Sequence, residues 1–191
     1  MDLAKNSIDV GIFTNQREAQ LAFWQEEVGL PFEELLKTGG GAHQLRHGLN
    51  GSVFKLNHTR DDLPSDDPTG YEELLIARDT VSKPVSLIDP DGNRVKLVPA
   101  GWQGVEQIGL VLKVSDIKLF QNFYRNILQI EEVSETSFRW GSTVFFLEQA
   151  DEPRRCSGIR GGVGYRLAQP PESPLLKTPT VTGLKFLSAP R

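Results

Sequence analysis

The chain has 191 residues, 38% of them apolar and 24% charged, with a formal net charge of −4; this is enough for a packed core and far from the composition of a disordered chain. The acidic balance gives no basic footprint for a nucleic acid, and no run of about 18 apolar residues is available to cross a bilayer. The single cysteine, Cys156, has no partner for an internal disulfide or a thiolate cluster, and the N-terminal stretch lacks the basic and apolar segments of a secretory signal; a cytoplasmic protein with no nucleic-acid and no membrane partner is expected.

Residues 8–13 read as a strand. Asn15-Gln16-Arg17-Glu18 then places a capping residue three positions before a glutamate, the pattern of a helix start. Leu21, Trp24 and Val28 recur at helical spacing, and Gly29-Leu30-Pro31 predicts a left-handed cap followed by a helix-incompatible proline. Residues 32–36, 42–49 and 52–56 are short strands bounded by glycine or polar turns. With Asn50-Gly51 as a two-residue turn, Leu45 lies opposite Leu56, Arg46 opposite Lys55, His47 opposite Phe54 and His43 opposite His58. Leu45, Leu49, Phe54 and Leu56 then share a packing face, and Arg46, Lys55 and Asn57 a polar one. His43 and His47 stand about 13 Å apart on a strand, too far to clamp one ion, and His43 with His58 read as rim histidines.

Residues 72–77, 85–88 and 94–98 form strands with no helix among them, the last two joined by the turn Asp89-Pro90-Asp91-Gly92. Trp102-Gln103-Gly104 is a linker. The first order then returns: a strand over 108–114, and a helix from about 116 to 128 whose Ile117, Phe120, Tyr124 and Ile127 keep apolar spacing. Phe23-Trp24 recurs as Phe123-Tyr124, Val28 as Leu128, Leu30 as Ile130 and Gly51-Ser52 as Gly141-Ser142, the mark of an internal duplication. After Glu148 the pattern weakens into glycine, charge and proline, with one further strand expected over 181–187. The fold class is therefore α+β, built of repeated βαβββ modules that form curved mixed sheets, the last module truncated or divergent. The expected division is 1–100 for a first half (βαβββ plus the helix-less strands), 105–150 for a second βαβββ module, and 151–191 for a divergent glycine- and proline-rich tail.

The segments IDVGIFTNQREAQLAFWQEEVGLPF, IGLVLKVSDIKLFQNFYRNILQI and SLIDPDGNRVKLVP resemble the vicinal oxygen chelate superfamily, which includes glyoxalases, bleomycin-resistance proteins, fosfomycin-resistance enzymes and extradiol dioxygenases. The resemblance covers roughly residues 7–150. It implies modules paired into a cup, with metal ligands on the first and last strand of each. Asp9 falls at a first-strand His position and Lys55 at a last-strand Glu position. Glu73, or its neighbour Glu72, falls near the next module's His, and Lys96 replaces its Glu. A protonated lysine offers only donors and repels a divalent cation, so this half is not expected to hold the metal. Asp9 and Glu73 would face Lys55 and Lys96 around one pocket floor, with Arg46 and Arg94 adding positive charge. These residues, Asp9, Arg46, Lys55, Glu73 and Lys96, are the expected ligand-binding set, for a small and anionic molecule.

In the second copy a two-residue extension would bring Gln107 to the ligand position, with Glu148 near the family's Glu; these two are the candidate metal ligands. No catalytic residue is assigned, and a divalent metal is the only cofactor the resemblance allows. The expected function is a glyoxalase- or bleomycin-resistance-like protein with a degenerate metal site that binds a small molecule. The alternative is an active divalent-metal-dependent lyase, similar to lactoylglutathione lyase, or a ring-cleaving dioxygenase. A fourth module beginning at Gly162-Val163-Gly164-Tyr165 departs from the pattern. The second copy's sheet edge is therefore expected to be uncovered, which favours pairing with another chain or with the proline-rich tail, and a homodimer is expected.

Overall fold

Short runs of alternating apolar residues between glycine turns dictate strands, and the structure, a computed structural model describing residues 6–63 and 71–150, places eleven of them around two helices. The expected strand over 181–187 and Cys156 lie outside the described residues. In chain order the elements are β1 (Val10–Thr14), α1 (Arg17–Ala22) continuing as a π-helical turn over Phe23–Glu27, β2 (Phe32–Gly39), β3 (Ala42–Leu49) and β4 (Ser52–His58). Then come β5 (Glu73–Ala77), β6 (Val85–Ile88) and β7 (Arg94–Val98) without a helix. The second copy is β8 (Ile108–Val114), α2 (Ile117–Asn122) with its π-helical turn over Phe123–Ile127, β9 (Glu131–Ser134), β10 (Ser137–Trp140) and β11 (Thr143–Gln149). The architecture is α+β, and both full units read β-α-β-β-β.

The strands form a four-stranded sheet in the order β1-β4-β3-β2 and a seven-stranded sheet in the order β6-β7-β5-β8-β11-β10-β9. In every unit the first and last strands are parallel neighbours: β1 with β4, β5 with β7, β8 with β11. The division after residue 100 does not follow the sheets. β5 pairs antiparallel with β8, Glu73 opposite Val111 through Ile76 opposite Ile108, so the helix-less strands belong to the second copy's sheet. The second copy's edge, expected to be bare, is thus covered within the chain. The reason is proximity: β8 offers an unpaired row of backbone groups, and the short linker carrying Trp102 joins it to β7, the parallel neighbour of β5.

The duplication extends to helix ends. Val28 N donates to Phe23 O at 3.0 Å and Leu30 N to Trp24 O at 2.8 Å; Leu128 N and Ile130 N repeat these bonds to Phe123 O and Tyr124 O, both at 3.0 Å. Gly29 takes the left-handed cap at φ 75°, and Gln129 occupies the same conformation at φ 51°. The helix starts differ. Asp116 caps α2 by accepting from Leu119 N at 3.0 Å, whereas Asn15, expected to cap α1, donates its amide to Thr59 O and Asp61 O at 2.8 and 2.9 Å. The first hairpin has the expected register, His43 opposite His58 and Arg46 opposite Lys55, around a turn with positive φ at both Asn50 and Gly51. In the second copy Thr14 corresponds to Val114, and their partners are His58 and Gln149. Gly141 (φ 60°) is consequently the counterpart of Asn50, one position from the alignment that the Gly-Ser repeat suggests.

One core runs between the sheets. Trp24 packs against Phe54 with ring centroids 4.0 Å apart and the rings tilted by 35°, beside Leu45, Leu49, Leu56, Leu74, Ile76, Ile108, Phe120, Tyr124, Phe138 and Phe145. The Asp-Pro-Asp-Gly turn serves as a receptor for α1. Trp24 Nε1 donates to Gln20 Oε1 at 2.7 Å, and Gln20 Nε2 donates to Asp89 and Asp91 at 3.1 and 2.6 Å. Asp89 is itself buried and also accepts from Asn93 N and Nδ2. The far face of the seven-stranded sheet carries a second, smaller cluster: Leu75, Ala77, Val98, Val105, Val111 and Val144, with Trp102 and Phe146 packed against it.

Candidate functional site

Because first and last strands lie side by side, each unit sets a last-strand residue beside the first-strand residue two positions before its register partner, on the face turned away from the main core. In the first unit Lys55 is in register with Gly11, and its Nζ reaches Asp9 Oδ2 at 2.8 Å. In the helix-less unit Lys96 is in register with Leu75, and its Nζ reaches Glu73 Oε2 at 2.6 Å. In the last unit Phe146 is in register with Val111, and its ring covers Gly109, where a Cβ would lie 3.1 Å from Phe146 Cε2. The same lattice position therefore holds an acid–lysine pair twice and a glycine under an aromatic ring once.

Gly109 and Phe146 replace Gln107 and Glu148 as the equivalent pair. The β8–β11 register runs without a shift from Ile108 opposite Thr143 to Val114 opposite Gln149, so the two-residue extension expected before β8 does not exist. Gln107 lies at the seam between the sheets, where its carbonyl accepts from Asn50 Nδ2 and Ala77 N, both at 2.9 Å. Glu148 lies opposite Lys113, near the other end of the strand pair. Six residues of strand rise separate Gln107 from the level of Glu148 by about 20 Å, so the two cannot share one ion.

The ligand-binding set divides in the same way. Asp9, Lys55 and Arg46 stand on the four-stranded sheet, Glu73 and Lys96 on the seven-stranded one, and they do not ring a single floor. The expected excess of cations is neutralised: Arg46 Nη1 reaches Glu34 at 2.6 Å, and Arg94 and Lys113 both reach Glu72 Oε1, at 3.1 and 3.2 Å. Glu72, read as the alternative to Glu73, joins the site beside it, and Lys113 is the member that sequence reasoning missed; it follows Val111 by two on β8, so strand alternation alone could have placed it. On the far face of the seven-stranded sheet the result is an apolar half under Trp102 and Phe146, and a charged end made of Glu72, Glu73, Lys96 and Lys113, with Arg94 and Glu148 exposed beyond them.

A divalent cation needs several lone pairs aimed at one point. Of Glu73, Lys96, Gly109 and Phe146, only Glu73 supplies any, and an ammonium group already occupies it. These residues do not fit the metal. Among the described residues no three His, Cys, Asp or Glu side chains converge. The rings of His43 and His58 stack 6.5 Å apart at the sheet rim, and His47 is buried beside Phe32 and Phe54, 3.1 Å from Gln25 Nε2.

Parallel first and last strands, repeated βαβββ units and two curved sheets define the glyoxalase fold. Glyoxalase I from Zea mays superposes with a TM-score of 0.57 at 14% identity, over 74% of this chain and 65% of that one. Two point mutants of the same enzyme give TM-scores of 0.57 and 0.54 at 12% and 13% identity, again over 74% of this chain and over 66% and 65% of theirs. The chain thus spans about two thirds of the maize enzyme's length, and identity at this level establishes the fold alone. No protein-family model matches the chain, and no curated protein matches it in sequence. No helix among the described residues is long and apolar enough to cross a membrane.

Proposed function

We propose that the chain is a glyoxalase-fold binding protein that holds a small molecule on the far face of its seven-stranded sheet without a divalent cation. The observation that carries this reading is the acid–lysine pair on the strand positions where the family resemblance implies metal ligands, once as Asp9–Lys55 and once as Glu73–Lys96. The ligand has an apolar body and an anionic group. The body packs on Phe146 and Trp102, and the anion reaches Lys96 and Lys113, whose ammonium groups have three donors each and give one to Glu73 and Glu72 respectively. A reading as a metal-dependent lyase or ring-cleaving dioxygenase finds no ligand set among the described residues.

Trp102 makes the test direct. Titration with 2-naphthoate is expected to quench tryptophan emission saturably, equally with and without EDTA, and Lys96→Met is expected to weaken it about tenfold, the loss of one charge-assisted bond. Quenching that EDTA abolishes would overturn the reading.

The same reading includes a homodimer, now placed at the four-stranded sheet. Its edge strand β2 exposes Phe32, Leu35 and Leu36, the kind of edge that a second chain covers. Light scattering across micromolar concentrations is expected to give twice the chain mass; a constant monomer mass contradicts it.

A further inference from the structure

The seam between the sheets carries a hollow, separate from the far face of the seven-stranded sheet. It has a volume of 450 Å³ and is bounded by Pro31, Glu33, Gly48, Val53 and Arg78, around the Asn50-Gly51 turn; this is the size of a small-ligand site. Arg78 follows β5 directly and is half-buried. Its guanidinium donates to Asn50 Oδ1 at 2.8 Å and to Val28 O at 3.2 Å, both neutral oxygens. Among the described residues no carboxylate pairs with it, whereas Arg46, Lys55, Arg94, Lys96, Lys113, Arg125 and Arg139 each reach one.

Glu33, a solvent-exposed residue, also lines the hollow. The β2–β3 register shifts between Phe32 and Glu34, and the Glu33 carboxylate lies over Gly48, where a Cβ would sit 3.0 Å from Oε1 and 3.2 Å from Pro31 Cγ. A bare Gly48 is what lets the carboxylate lie there. No ion pair joins Glu33 to Arg78. A cation and a carboxylate thus share one small hollow without neutralising each other. A singly charged ligand would be attracted by one of these groups and repelled by the other, and a ligand with both charges would satisfy both.

We propose that this hollow binds a small zwitterion, an amino carboxylate whose carboxylate lies on Arg78 and whose ammonium group lies on Glu33. The guanidinium fork keeps N–H groups beyond those given to Asn50 and Val28. Its position is fixed before binding, because Asn50 is itself held by Ala77 O and Gln107 O at 2.8 and 2.9 Å. The site does not depend on the acid–lysine pairs, so its failure would leave the reading of the seven-stranded sheet's far face untouched.

The test is an amide chemical-shift titration of the full chain with glycine, 4-aminobutanoate and 6-aminohexanoate, with acetate and butylammonium as single-charge controls. At least one amino carboxylate is expected to bind about tenfold tighter than both controls, with shifts centred on Gly48, Asn50, Gly51 and Val53. Glu33→Gln, which leaves every contact of Arg78 in place, is expected to remove the preference over acetate. Arg78→Lys is expected to lose carboxylate affinity, with its melting curve reporting any effect on the seam. Equal binding of the controls, shifts elsewhere on the surface, or a preference that survives Glu33→Gln would each overturn the proposal.

Discussion

His47 shows how one residue reports on the fold's response to pH. It is fully buried, and burial lowers its pKa from 6.5. The unfolded chain therefore binds a proton that the folded chain refuses, so the stability His47 permits is present above pH 6.5 and lost as pH falls through that value. The urea midpoint is expected to drop between pH 7 and about 5.5, and His47→Leu to flatten that slope; parallel slopes for both proteins would contradict it. At this scale the sequence was partly legible. Strand alternation places Leu45, His47, Phe54 and Leu56 on one face and Lys55 on the other, because the Asn-Gly turn fixes the register. It cannot show that each lysine has a carboxylate of its own, since Lys96 and Glu73 meet through the pairing of strands separated in sequence.

Among the elements, α1 depends on a turn far away in the chain. Gln20 is buried between Trp24 Nε1 and the carboxylates of Asp89 and Asp91. Gln20→Leu leaves an indole N–H and part of a buried carboxylate without partners, and is expected to cost about 2–4 kcal/mol by urea denaturation. A cost below about 0.5 kcal/mol would mean that the network does not dock the helix. The Asp-Pro-Asp-Gly turn was readable as a hairpin from its residues; its service as the helix receptor was not, because nothing local distinguishes a carboxylate facing Gln20 from one facing water. The same limit explains the two misread positions. Asn15 has a capping residue's chemistry but finds the carbonyls of Thr59 and Asp61, and Gln107 matches a family pattern only if a bulge is assumed that the β8–β11 register lacks.

For the whole molecule, the duplicated order β-α-β-β-β was legible because both copies repeat the same aromatic pair, helix end and hairpin. The assembly of the units was not: composition and spacing do not say whether β5 joins the sheet before it or the sheet after it, and it joins β8. That assembly puts Glu73, Lys96, Gly109 and Phe146 on one curved face, with a single carboxylate among them and a lysine closing it. The proposal is that ammonium groups on this face stand in place of a divalent cation. Elemental analysis of the full chain, purified without chelators and then equilibrated with zinc, nickel, manganese and ferrous iron, tests it most directly. Far less than one ion retained per chain is expected for every metal; one tightly held ion per chain, lost on EDTA treatment, would overturn the proposal.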